Sequence, residues 1–300
     1  MYNNLFSIGS VTIHGYGVMI AVGFVFAIII SYVRAKAYGL RKNAVIDIAL
    51  LAMISGFMGA KLLYVIVEYK AFFASPLSVL GSDGFVIYGG IIGGVTAAFI
   101  YCRKKKISFM SYFDLAIPAV AVAQGFGRIG CFLAGCCYGC ESTTLGVIFP
   151  EGSIAPAGIP LLPTQLFSSA GDFLIALILV LYARKSRIKG NVGALYLLLY
   201  GVGRFVIEFF RNDVRGSVGI LSTSQFISIF FILGAVVMFF INAKRGEPAD
   251  MILDKEERAE ADKRNQDEER VIKESKKSGK SGQAAESPAE NKENKEEANR

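Results

Sequence analysis

Ala123–Gly139 reads A-Q-G-F-G-R-I-G-C-F-L-A-G-C-C-Y-G, a run of glycine, cysteine and apolar residues with one charge, Arg128, near its centre. A run of this composition looks membrane-buried, and a guanidinium there is costly enough to need a reason. The reading that follows is a chain that builds an outward-facing pocket in a bilayer around that charge.

The rest of the chain agrees with a membrane setting. Of 300 residues, 53% are hydrophobic and only 19% charged, and the mean hydropathy is positive. Those values point to a polytopic membrane protein rather than to soluble domains. The net charge of +7 hides two parts. The stretch 247–300 carries 12 basic and 16 acidic side chains, which leaves 20 basic and 9 acidic in residues 1–246. The excess of the body lies in short clusters between apolar runs, so the basic balance is not a nucleic-acid footprint and no nucleic-acid partner is expected. No basic region opens the chain ahead of the first apolar run, so no cleavable signal peptide is expected.

Seven apolar runs are long enough to cross a hydrocarbon core of ~30 Å. They fall near Tyr16–Val33, Ala44–Val67, Phe85–Cys102, Tyr112–Cys136, Gln165–Ala183, Val192–Phe210 and Gly219–Ile241. Arg34, Lys36, Arg41 and Lys42 follow the first, Arg103–Lys106 the third, Arg184, Lys185, Arg187 and Lys189 the fifth, and Lys244 and Arg245 the last. The alternate connectors carry little net charge: Glu68, Lys70 and Asp83, then Glu141 and Glu151, then Arg211, Asp213 and Arg215. The positive-inside rule then sets the N-terminus outside and the C-terminus in the cytoplasm. The expected fold is an all-α polytopic membrane protein of seven transmembrane helices. Residues 1–246 form the membrane domain, and residues 247–300 form a charged, disordered cytoplasmic tail with a helical stretch near Asp254–Lys277. The proline-rich connector Gly139–Thr164 reads as an ordered cap on the outer face. Gly56, Gly59, Gly89, Gly90, Gly93 and Gly94 read as close helix packing rather than as a phosphate loop.

Topology gives each buried polar group a depth. Arg128 lies about 24 Å along its outward-running span, in the outer part of the core. Tyr200, Arg204, Glu208 and Arg211 share one helical face, and Gln124 sits one turn below Arg128. Lys61, Tyr64, His14, Tyr16, Tyr88, Gln165 and Asp172 fall at the same outer level, whereas Asp47 and Asp114 sit at inner ends. Arg204 and Glu208 could simply satisfy each other, and Lys61 or Asp172 could lock helices. Taken together, Arg128, Lys61, Arg204 and Arg211 outnumber Glu208 and Asp172 in that layer. A net positive pocket wants an anion, and at that depth the natural anion is a phospholipid headgroup, whose phosphate matches arginine forks.

Four of the five cysteines lie between Cys131 and Cys140. The single C-x-x-C of Cys137 and Cys140 has no second pair and no histidine pair to complete a zinc site, so no metal or cofactor is expected. Cys131 reads as small apolar filling, while Cys136, Cys137 and Cys140 near the exterior are open to oxidation.

Gly127–Gly139, G-R-I-G-C-F-L-A-G-C-C-Y-G, resembles the signature of the prolipoprotein diacylglyceryl transferase family. Y-G-V-M-I at Tyr16–Ile20, Y-G-G-I-I-G-G at Tyr88–Gly94, P-T-Q-L at Pro163–Leu166 and Y-G-V-G-R-F-V-I-E-F-F-R at Tyr200–Arg211 are similar to its further motifs, in the same order. The resemblance implies transfer of a diacylglyceryl group from phosphatidylglycerol to the lipobox cysteine of a prolipoprotein, with release of glycerol-1-phosphate, in a bacterial cytoplasmic membrane. Arg128 and Arg204 match the family's key arginines, Glu208 would orient Arg204, and Arg211 would guide the polar product. Tyr16 and Tyr88 are the remaining catalytic candidates. Gln124, Tyr200, Gln165 and Lys61 join Arg128, Arg204, Glu208 and Arg211 as expected phosphatidylglycerol contacts. Tyr88 stands where the family usually has a histidine, and Cys131 and Cys136 where it usually has Asn and acidic residues. Removal of the thiol proton then falls to the positive field alone, to His14 or to Tyr16. A non-catalytic phosphatidylglycerol-binding relative remains the alternative. A transporter would need a polar path through both leaflets, and the polar layer here is one-sided.

Overall fold

The computed structural model describes residues 4–8, 11–82, 84–186, 188–213, 216–248, 259–267, 270, 271 and 274. Asp83, Arg187, Arg215 and most of the expected tail lie outside the described residues. In chain order the elements are β1 (Asn4–Ile8), β2 (Val11–His14), α1 (Gly15–Ala35), α2 (Lys42–Val67), α3 (Tyr69–Ala74), α4 (Pro76–Gly81), α5 (Ile87–Lys105) and α6 (Phe109–Ala134). There follow β3 (Val147–Ile148), β4 (Pro160–Leu161), α7 (Thr164–Ala183), α8 (Asn191–Ile207), β5 (Ser217–Val218), β6 (Leu221–Ser222) and α9 (Thr223–Arg245). The six strands form three antiparallel hairpins, so the protein is a helical bundle with small β pieces in its connectors.

Among the described residues six helices, α1, α2, α6, α7, α8 and α9, are long and apolar enough to cross a membrane. The expected third span falls on α5, which is 19 residues long, has four glycines and ends in Arg103-Lys104-Lys105. Its partner is α2, and glycines let the two backbones approach. A Cβ on Gly59 would collide with the carbonyl oxygen of Gly89, and one on Gly93 would come within 2.5 Å of that of Ser55. Where lipid surrounds both helices, this close backbone contact is what holds a pair together.

The other tight pairings are α1 with α6, α6 with α7, and α8 with α9. Ile117, Ala121, Ile175, Leu179, Val192 and Tyr196 make one core between α6, α7 and α8. A second core, with Tyr38, Val45, Cys102, Tyr112 and Leu115, joins α2 and α5 to α1 and α6 at the end that carries the basic connectors. Asp114 works at that end. Its carboxylate accepts the N–H of Gly190 (2.6 Å) and of Gly193 (3.0 Å) at the start of α8, a cap worth about 0.5–2 kcal/mol. Asp47 likewise accepts the hydroxyl of Tyr101 at 2.6 Å.

At the opposite end lie the α6–α7 and α8–α9 connectors. They meet where Gly139 bridges Arg211 and where Cys140 N–H donates to Phe210 O at 2.9 Å. The proline-rich connector is ordered around buried Phe149, Ala155 and Leu161, with the Phe132 ring edge-on to Phe149. Helix α9 begins on a capping box: Ser222 Oγ accepts Gln225 N–H, and Gln225 Oε1 accepts Ser222 N–H. That cap explains why the helix starts at Thr223 rather than at Gly219, where the apolar run begins. Helix α6 similarly stops at Ala134, not Cys136, because Gly135 turns the chain at φ 73°. Beyond the bundle, residues 259–267 are helical. Ala261 is buried, Asp262 pairs with Lys36 (3.2 Å) and Lys42 (3.3 Å), and Asn265 Nδ2 donates to Gly39 O at 3.1 Å.

Candidate active site

A cavity of about 310 Å³ opens between α6, α7 and α8. Its polar lining is Arg128 from α6, Ser168 and Asp172 from α7, and Tyr200 and Arg204 from α8; apolar side chains such as Phe167 and Ile207 complete the wall. On α7 the lining positions 168, 171, 172 and 175, and on α8 the positions 200, 203, 204 and 207, recur at three and four residues, so each helix turns one face to the cavity. Gly171 and Gly203 belong to those faces, and a Cβ on either would meet no atom within 4 Å. These glycines leave space in the cavity rather than admit a neighbouring helix. Gly201, one turn-face away, does the reverse: a Cβ there would press on Ile232 Cγ1 of α9 at 3.0 Å.

The two cations differ in how they are held. Arg204 Nη2 donates to Ser224 Oγ (2.7 Å) and pairs with Glu208 Oε2 (3.2 Å). Glu208 is itself anchored, because its Oε1 accepts the hydroxyl of Ser222 at 2.7 Å. One side of the guanidinium is therefore fixed by α8 and by the first residues of α9. Its Nη1 is buried with no hydrogen-bond partner among the described residues. Arg128 lines the cavity and makes no hydrogen bond or ion pair to a described residue. It lies within electrostatic reach of Tyr200, Asp172 and the neighbouring cysteines. Asp172, buried on α7, acts on both arginines without an ion pair to either. A buried guanidinium nitrogen without an acceptor is costly, and an anion in the cavity would remove that cost.

The other expected residues separate into three groups. Near the cavity, Gln124 Oε1 accepts the hydroxyl of Tyr196, whose ring stacks on Tyr200 at 5.6 Å; this network fixes the Tyr200 ring at the cavity wall. Tyr88 is half-exposed at the start of α5 and close enough to Arg204 and Tyr200 to interact electrostatically. Tyr16 packs on Gly130 of α6, where a Cβ would meet its ring at 3.1 Å, within electrostatic reach of Arg128 and the cysteines.

A second group serves the connectors. Gln165 is buried and its Nε2 donates to Cys136 O at 2.6 Å, while Thr164 Oγ1 donates to Cys137 O at 2.8 Å. Gln165 therefore grips the turn after α6 and is not among the cavity-lining residues. Arg211 is bound through both Nε (3.0 Å) and Nη2 (2.8 Å) to Asp213. Arg211 is thus held by its own connector and is not among the cavity-lining residues. Lys61 stands alone as the third case. Its ammonium donates to Ser82 O (2.6 Å) and Gly84 O (3.3 Å) and lies over the Phe85 ring at 4.8 Å, which ties α2 to the segment after α4.

Sequence reasoning placed Asp172 at the outer polar level as a possible helix lock and left Ser168, Gly171 and Gly203 without a role, although the three- and four-residue spacing on α7 and α8 could have found them. It also read Cys131 as filling. The thiols of Cys131, Cys136 and Cys137 in fact come together, every sulfur within 4.8 Å of the others.

Fold and site define a polytopic membrane protein with a partly apolar, cation-walled cavity suited to an amphiphilic anion. The model of the family described as prolipoprotein diacylglyceryl transferase matches residues 3–241. The chain is 46% identical over 237 residues to phosphatidylglycerol--prolipoprotein diacylglyceryl transferase 2 of Clostridium perfringens, covering 78% of this chain and 93% of that protein. It is 47% identical over 244 residues to the phosphatidylglycerol--prolipoprotein diacylglyceryl transferase of Clostridium tetani, covering 80% and 98%. A relative from Finegoldia magna is 32% identical over 236 residues. The chain belongs to the prolipoprotein diacylglyceryl transferase family.

Proposed function

We propose that this chain is a transferase that moves the diacylglyceryl group of phosphatidylglycerol onto the lipobox cysteine thiol of prolipoproteins, the first step of lipoprotein maturation. The observation that carries this reading is the pair of cations in one cavity, Arg128 and Arg204, whose open nitrogens have no acceptor among the described residues. The bond from the glyceryl carbon to the phosphate oxygen breaks as the sulfur attacks that carbon. Negative charge grows on the departing glycerol-1-phosphate, and preorganised cations aimed at it lower the barrier. Glu208 and Ser224 act as positioning groups for Arg204, and Tyr200 and Tyr88 supply hydroxyls beside the phosphate. The apolar part of the wall faces the lipid's hydrocarbon.

The basic connectors on alternate sides support seven spans, with α5 as the third, the N-terminus outside and residues 247–300 in the cytoplasm. The cavity then opens at the outer-leaflet level of a bacterial cytoplasmic membrane, where secreted precursors present their cysteine. The test is to incubate the purified protein with phosphatidylglycerol and a lipobox peptide. Glycerol phosphate release together with a diacylglyceryl-sized mass gain on the peptide is expected. A protein that binds the lipid but yields neither product would be the non-catalytic relative instead.

A further inference from the structure

The cysteine cluster has a geometry that the cavity chemistry alone does not use. Helix α6 ends at Ala134, and the chain then turns through two left-handed residues, Gly135 at φ 73° and Cys137 at φ 63°. A cysteine rarely adopts that conformation, and residues held in it gather where structure serves a site. Cys136 N–H donates back to Cys131 O at 3.1 Å, and the first turn of α7 holds the carbonyls of Cys136 and Cys137 through Gln165 and Thr164. With both carbonyls fixed, the thiols turn toward Cys131. Three sulfurs lie within 4.8 Å of one another, none in a disulfide. Tetrahedral zinc with Zn–S near ~2.3 Å needs sulfurs about 3.8 Å apart, so a closure of at most about 1 Å completes the triangle.

We propose that Cys131, Cys136 and Cys137 form a site for a soft divalent metal, Zn²⁺, whose fourth position takes the acceptor thiol of the lipoprotein precursor. The acceptor role rests on the transfer reading above; the metal site does not. Four features support such an open site. Only three thiols converge, and Cys140 stays exposed and outside the group. Structural zinc takes four protein ligands, whereas reactive sites keep one position free. The three cysteines are only partly buried, so an incoming side chain can reach them. Arg128 and Arg211 both lie within electrostatic reach of Cys137; the charge of Arg128, which pairs with no described carboxylate, offsets the net negative charge of a metal bound by three thiolates. The last feature is the position of Arg128, which also lines the cavity. The metal-held sulfur and the phosphate it displaces would therefore share one guanidinium as neighbour.

The chemistry balances without a protein base. A thiol that binds zinc releases its proton to water on the outer side, because a coordinating thiol is deprotonated outright. The sulfur lone pair then forms the C–S bond to the glyceryl carbon, and the C–O bond electrons leave with the phosphate. The product thioether, a weaker ligand, frees the metal position. A chain with Tyr88 as its third-span candidate would in this way need no imidazole to ionise its acceptor.

The test uses the full-length protein in detergent. Metal analysis should give about one Zn²⁺ per chain, and Co²⁺ exchange should give thiolate-to-cobalt absorption. Bound Zn²⁺ should protect Cys131, Cys136 and Cys137 of the unmodified protein from alkylation, read by mass spectrometry, and leave Cys140 reactive. Cys140→Ser should keep the metal; Cys131→Ser and Cys137→Ser should each weaken it at least about tenfold. Three thiols that alkylate equally with and without Zn²⁺, or a two-dalton loss showing a disulfide among them, would overturn the site. A lipobox peptide should shift the cobalt spectrum, and its Cys→Ser version should not. An unshifted spectrum would overturn the acceptor role. A shifted spectrum with no diacylglyceryl transfer would uphold the metal site and count against the transfer reading instead.

Discussion

Helices α2 and α5 on one side and α7 and α8 on the other both bring glycines and cations into a membrane bundle, and they use them oppositely. Between α2 and α5 the glycines are filled from across the interface: a Cβ on Gly59, Gly89 or Gly93 would strike backbone. The cation of that region, Lys61, is satisfied by carbonyls and aromatic rings. On α7 and α8 the glycines Gly171 and Gly203 face empty space, and the cations beside them, Arg204 of α8 and Arg128 of α6, retain nitrogens without acceptors among the described residues. A glycine that a neighbour needs, beside a cation that the protein satisfies, builds the fold. A glycine facing nothing, beside a cation with an open nitrogen, makes room for a ligand.

The largest effect should come from the open cations. Arg128→Ala and Arg204→Ala should each lower transfer by about 100- to 1,000-fold, as loss of one charge-stabilising donor does elsewhere. Near-normal turnover in both would break the comparison at its centre. Filling the space should come next. Gly203→Leu should raise KM for phosphatidylglycerol about tenfold or more while leaving the melting temperature nearly unchanged, since a Cβ there meets no atom within 4 Å and the side chain can extend into the cavity. On the other side the outcome inverts. Gly59→Leu should destabilise the protein by about 1–3 kcal/mol through overpacking, seen as a lower melting temperature in detergent. Lys61→Met should keep kcat/KM within about threefold and cost about 1–3 kcal/mol of stability, because it strips a charged donor from Ser82 and Gly84.

The smallest effect concerns a third set of cations, Lys36 and Lys42, satisfied by Asp262. Burial pushes that carboxyl upward, but hydrogen bonds from the two lysines outweigh it and hold its pKa below the usual value. A depressed carboxyl stabilises contact above its ordinary pKa and loses that contribution as pH falls through the lowered one. Hydrogen exchange over residues 259–267 should therefore stay slow at neutral pH and quicken below about pH 4. Asp262→Asn should speed that exchange at neutral pH and leave transfer unchanged.

Much of this architecture was legible because lipid makes sequence speak plainly. A helix surrounded by hydrocarbon must be apolar along its length, so the spans were readable as runs. Their ends were less so. The capping box at Ser222 and the left-handed turn at Gly135 each moved a boundary that hydropathy placed two to four residues away. In α5, glycine and terminal basic residues dilute the apolar signal. The site was partly legible. Arg128, Arg204, Tyr200 and Glu208 stood out as polar groups in an apolar setting, and the structure brings them together. Lys61, Gln165 and Arg211 looked the same in sequence, yet each donates to a protein partner outside the cavity: carbonyls, a turn and Asp213.

The sequence alone therefore determined where the long apolar helices fall and that Lys61, Arg128 and Arg204 interrupt them, because composition and spacing along a helix set both. Only the tertiary structure decided which of those cations is free to hold a ligand. That depends on what neighbouring helices and connectors offer each nitrogen. The convergence of Cys131, Cys136 and Cys137 was decided the same way. Their spacing names no site; a left-handed turn and two hydrogen bonds from α7 bring the sulfurs together.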